Sequence, residues 1–140
     1  MRALPEQSGF ADPCMSIDAF EAGNVDPDEF GHDDHVYVAW LYLQDHELND
    51  AIARFCAALK GLTRKLGIQS KYHETITWFF MIAINERRQL RPSDDWHAFR
   101  RQNPDIFESS PSLISRHYSG KRLQSPLART HFLLPDRLPD

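Results

Sequence analysis

Imidazoles are the side chains in this chain best suited to chemistry. Seven histidines occur in 140 residues, and four of them stand in three dense polar settings. The first setting is His32-Asp-Asp-His35. If both histidines lie in one helix, the i, i+3 spacing puts them on one face, where two imidazoles can share a metal ion or pass a proton. The same spacing also suits a helix start, with His32 or Asp33 as N-cap and His35 satisfying a backbone group. The second setting is Tyr72-His73-Glu74-Thr75-Ile76-Thr77. Placing His, Glu and two Thr at the start of a very apolar helix is costly unless they are hydrogen-bonded or used. His73 is the candidate general acid or base, with Glu74 to orient or tune it. Thr77 either joins them or bonds back to the carbonyl of His73. In the third setting, His117-Tyr118 lies among Arg116, Ser119 and Lys121. Arg116 and Lys121 can take a carboxylate or phosphate beside Tyr118, or simply be surface charges. His46, His97 and His131 receive no role.

The elements that must position these groups are helical. Ser16 reads as the N-cap of a short helix over Ile17–Ala22, closed by Gly23. A long helix is expected over about 33–43, with Asp33 and Asp34 at its positive end. A second spans about 48–66, where Leu48, Ile52, Phe55, Leu59, Leu62 and Leu66 form one core-facing stripe ahead of Gly67. A third covers about 71–88. It is apolar on nearly every side from Ile76 to Ile84, which predicts a central position. Ser93 is expected to cap a fourth helix through Gln102, and Pro104 and Pro111 to break the chain beyond it. Ser112–Tyr118 and the run after Ser125-Pro126 read as short helices, the second ending near Phe132. The fold class is therefore all-α: one domain over 16–136 built on three main helices with short ones around them. Residues 1–15 read as a loose arm and 137–140 as a tail.

Composition narrows the function classes. The net charge is −4, with an acidic stretch over 18–50 that contains no Lys or Arg. This excludes the basic surplus of a nucleic-acid binder. No run of about 18 apolar residues exists to span a membrane. The first residues lack the apolar segment of a secretory signal. Cys14 and Cys56 form neither a metal spacing nor a disulfide framework. The expected location is the cytoplasm. A phosphate loop, a GxSxG elbow, a dinucleotide fingerprint and HExxH are all missing, the last because the residue four after His73 is Thr77.

The runs Phe30-Gly-His32-Asp-Asp-His35, Arg54-Phe-Cys56, Lys71-Tyr-His73-Glu-Thr-Ile-Thr77 and Tyr118-Ser with Pro135-Asp together resemble a family of small, all-helical bacterial proteins of unknown function. The resemblance covers about 16–136 and implies the choice of residues, not a reaction.

These residues point to a small-molecule enzyme doing acid/base proton transfer of lyase, isomerase, cyclase or hydrolase type. Its pocket is expected where the starts of the first and third long helices converge. His32, His35 and His73 would line it, with Glu74 and Thr77 close by and Trp40, Tyr42, Trp78 and Phe80 as apolar walls. A divalent metal, Zn²⁺ or Fe²⁺, held by His32, His35 and His73 is a variant of this reading. The alternative is a non-catalytic helical module binding a ligand or a protein, with the aromatic surplus forming a groove or a homodimer face. In the plainest reading, the histidines only cap helices.

Overall fold

Hydrophobic spacing dictates three long helices, and the chain forms them. The computed structural model describes residues 16–109 and 112–137, so the arm expected over 1–15 and the end of the tail lie outside the described residues. Helix α1 (Ile17–Ala22) starts where the Ser16 hydroxyl accepts from the N–H of Ala19, and it ends at Gly23, whose φ of 76° only glycine adopts without strain. Helix α2 (His32–Asp45) begins at Gly31, whose N–H donates to Asp34 Oδ2 at 3.0 Å. Helix α3 (Leu48–Lys65) carries the apolar stripe, and Ile52, Phe55, Leu59 and Leu62 are buried as the spacing requires. Helix α4 (Glu74–Leu90) is central. It packs against α2, α3, α6 (Pro104–Phe107), α8 (Pro126–Thr130) and the 3₁₀ turn Leu113–Arg116. Helices α5 (Trp96–Gln102) and α7 (Gly120–Gln124) complete the set. The described residues contain no β-strand, only an isolated bridge between Ser109 and Ser112. The fold is all-α.

Three boundaries differ from the sequence expectation, each for a local reason. Helix α4 starts at Glu74 rather than near Lys71, because Lys71 closes a 3₁₀ turn (Gln69–Lys71) and His73 is the N-cap. Helix α5 is capped by Asp95, whose Oδ1 accepts from the N–H of His97. Ser93 instead caps Asp95 itself, and the start moves two residues along. Pro104 opens α6 rather than breaking the chain, since proline at the first helical position gives up an N–H that has no partner there.

Polar ties hold the short elements on the long ones. The Tyr42 hydroxyl donates to Glu21 Oε2 at 2.6 Å, joining α2 to α1. Lys65 Nζ donates to the carbonyls of Ala22 and Gly23, placing a cation at the C-terminal end of α1. The segment after α8 is pinned at several points. Tyr118 donates to the carbonyl of Leu133 at 2.6 Å, and Asp136 accepts from the N–H and the hydroxyl of Ser119. Thr75 is the innermost tie and is fully buried. Its hydroxyl lies 2.7 Å from the Ala128 carbonyl and 2.8 Å from that of His131, so one proton serves both, and it accepts from the N–H of Leu133 at 3.2 Å.

Replacing Thr75→Val keeps the shape and removes that hydroxyl, stranding buried carbonyls and an N–H. The expected cost is about 1–3 kcal/mol, read as a lower urea midpoint at unchanged m-value. An unchanged midpoint would mean that Thr75 does not hold the C-terminal segment.

Candidate functional site

The turn that leads into α2 sets the geometry of the site. Asp26 accepts from the N–H of Asp28 through its side chain, and its carbonyl accepts from Glu29 and Phe30. This folds the chain so that Phe30 stacks on Phe20, with centroids 5.8 Å apart, and meets the His35 ring at a tilt, 4.4 Å away. The starts of α2 and α4 then face each other across a cavity of about 630 Å³. His32, His35, His73 and Thr77 all line it, together with Phe30, Leu59, Ile76, Phe80 and other apolar side chains of α2, α3 and α4. Asp28 and Lys71 add charge to the lining. The convergence expected of the three histidines is therefore present in space.

Their hydrogen bonds give them different capacities. His73 has both ring nitrogens engaged. Nε2 donates to the carbonyl of Leu123 at 2.7 Å, and Nδ1 accepts from the N–H of Ile76 at 3.2 Å. A carbonyl can only accept and an N–H only donate, so this is the neutral Nε2–H tautomer, with no nitrogen left to move a proton to or from a bound molecule. His32 donates from Nε2 to the carbonyl of Ile106 at 2.8 Å and meets the Phe80 ring edge-on at 4.9 Å, and among the described residues its Nδ1 has no hydrogen-bond partner. The ring of His35 makes no hydrogen bond among the described residues. It is half-buried against the cavity, and its pKa is lowered from 6.5 to about 4 by burial, with the adjacent His32 imidazole adding to the effect. His35 is thus neutral at pH 7, offering one donor and one acceptor to the cavity.

Glu74 lies elsewhere, and Thr77, although it lines the cavity, spends its hydroxyl within α4. Glu74 points away from the cavity. Its Oε1 accepts from the Tyr72 hydroxyl at 2.5 Å, and Lys60 lies 3.8 Å away. The Thr77 hydroxyl donates to the His73 carbonyl at 2.7 Å, the back-bonding alternative. The metal variant fails on donor geometry. Among the described residues no three His, Cys, Asp or Glu side chains are grouped to hold an ion, since His73 and the Nε2 of His32 are committed to carbonyls. Of the expected walls, only Phe80 lines the cavity. Trp40 is buried against Trp96 and Phe99, Tyr42 lies between Phe20 and Phe55, and Trp78 stacks on Phe132 at 5.2 Å. Arg116 and Tyr118 lie outside it, with Tyr118 held by Leu133. Phe30, Asp28 and Lys71 are lining residues that sequence spacing does not single out. Phe30 precedes the helix and has no periodic signal, Asp28 lies in the turn before α2, and Lys71 closes a 3₁₀ turn.

No helix of the described residues is long and apolar enough to cross a membrane. Comparison of the chain with family models, with curated proteins and with solved structures finds no match.

His73→Ala removes a cap and a long-range bond together and is expected to destabilise the fold by about 2–3 kcal/mol, seen in urea unfolding. Wild-type stability would mean that the His73 ring is free to act. For His35, the folded pKa lies below the unfolded value, so the unfolded chain takes up the proton first. Stability then falls as pH drops from 6.5 toward about 4, by roughly 3 kcal/mol at most. His35→Leu should flatten this decline in urea midpoints measured at pH 7 and pH 4.5. An unchanged decline would place the acid sensitivity on other groups.

Proposed function

We propose that the protein binds a small, mostly apolar molecule in the cavity between α2, α3 and α4, with neutral His35 meeting its one polar group. The observation that carries this is the unpartnered His35 ring on the wall of a largely apolar cavity of about 630 Å³. The ring is half-buried and opens onto the cavity, so a ligand can complete hydrogen bonds that no described residue makes. Apolar walls with a few convergent polar groups are the usual make-up of a small-molecule site. Because His35 both donates and accepts, an alcohol, phenol or carbonyl in an otherwise hydrocarbon ligand suits it.

Proton transfer is a second reading, and His32 favours it. Its Nε2–H is fixed on the Ile106 carbonyl, which orients Nδ1 as a base in the way a second partner orients catalytic imidazoles. In that reading His32 is the base and His35 the hydrogen-bonding partner of a substrate of the same chemistry. Bound ligand recovered unchanged marks the binding module. Conversion that is lost in His32→Gln marks the enzyme.

Naphthalene and 2-naphthol differ by one hydroxyl and test the binding site directly. Both should bind the full chain one to one in calorimetric or fluorescence titration, 2-naphthol about fivefold more tightly, the worth of one net hydrogen bond of about 1 kcal/mol. His35→Leu should erase that advantage while leaving naphthalene affinity in place. Ala39→Phe places a ring in the cavity and should abolish binding of both, with circular dichroism confirming the fold. Absence of binding to wild type, or binding indifferent to Ala39→Phe, would overturn the proposal.

A further inference from the structure

Glu74, turned away from the cavity, faces a second concavity of about 240 Å³ on the other side of Tyr72. It is lined by Lys60, Thr63 and Arg64 of α3, Gln69 of the 3₁₀ turn, and Arg129 and Thr130 of α8. The i, i+3, i+4 spacing puts the three α3 residues on one helix face, and packing of α8 against α4 brings Arg129 opposite them. In a chain of net charge −4, three cations thus converge on one hollow whose lining has a single carboxylate. That carboxylate is already engaged by the Tyr72 hydroxyl, with Lys60 3.8 Å away.

The donors around this hollow are exposed, and most of them are not spent within the fold. Arg129 Nη1 donates to the carbonyl of Ser70 at 2.7 Å, which orients the guanidinium and leaves its other N–H groups available. The side chains of Arg64 and Gln69 make no hydrogen bond or ion pair among the described residues. After Glu74 is counted, two positive charges remain uncompensated in a space that holds one small oxyanion and a few further atoms. Guanidinium groups bind such oxyanions through paired, charge-assisted hydrogen bonds.

We propose that this hollow is a binding site for a dianionic phosphate group, as carried by a phosphate monoester, held by Arg64, Arg129 and Lys60 with the Gln69 amide. The site is separate from the apolar cavity and shares with it only the walls Thr63 and Tyr72.

The test is a titration of the full chain with inorganic phosphate at pH 7.5, at ionic strength held constant with NaCl, followed by ¹H–¹⁵N NMR at the Arg64 and Arg129 Nε–H and the Gln69 amide. Saturable shifts confined to these groups are expected. In Arg64→Gln binding should weaken at least about tenfold, as loss of a charged hydrogen bond predicts. The Arg64 side chain has no hydrogen-bond or ion-pair partner among the described residues, so the urea midpoint should not change. Acetate, a monoanion, should bind at least about fivefold more weakly than phosphate. Identical shifts with NaCl alone, equal affinity for acetate, or indifference to Arg64→Gln would each overturn the proposal. Naphthalene binding in Arg64→Gln should equal that of wild type, so that failure at either site is read independently of the other.

Discussion

At the start of α4, His73 donates to the Leu123 carbonyl, accepts from the Ile76 N–H, and passes its own carbonyl to the Thr77 hydroxyl. Two residues further in, Thr75 gathers the carbonyls of Ala128 and His131 and the N–H of Leu133. A helix end buried in the middle of a domain must satisfy its free N–H groups and polar side chains internally. Here the partners come from a distant stretch of chain, Leu123 to Leu133. That requirement brings α7, α8 and the segment after them onto α4, and it directs the apolar length of α4 toward α2 and α3.

The cavity and the phosphate hollow are two consequences of the same placement. With His73 fixed as a cap, Glu74 falls on the side away from the cavity that His35 lines. Tyr72 becomes the partition: it lines the cavity with one part of its surface and holds Glu74 with its hydroxyl. Burial raises the pKa of that hydroxyl, so it stays protonated and keeps donating. The two spaces therefore differ in kind. One is largely apolar and holds the neutral His35 imidazole, and the other is cationic with a single carboxylate.

The His32/His35 pair illustrates how two residues of one type, three positions apart, acquire different states. His32 sits at the first position of α2, within reach of the Ile106 carbonyl, and spends one nitrogen there. His35 lies one turn deeper, against Phe30, and its ring makes no hydrogen bond among the described residues. Low local polarity and the neighbouring imidazole then keep it neutral. Of the two, His35 is the ring that makes no hydrogen bond among the described residues.

Helix periodicity, capping residues and the all-round apolar run from Ile76 to Ile84 were enough to read the all-α class, the three long helices and the central place of α4. These are determined by contacts within a few residues, and the 3.6-residue repeat records them directly. The same polar spacing also marked His32, His35 and His73 as members of one region. Which of them is free was not legible. His73 and Glu74 are neighbours in the chain, yet one caps a helix toward the cavity and the other faces the hollow. Arg64 and Arg129 meet only because α8 docks on α4. The state of each side chain depends on whether a distant carbonyl arrives opposite it. That is a property of how the helices pack, and no local pattern of residues encodes it.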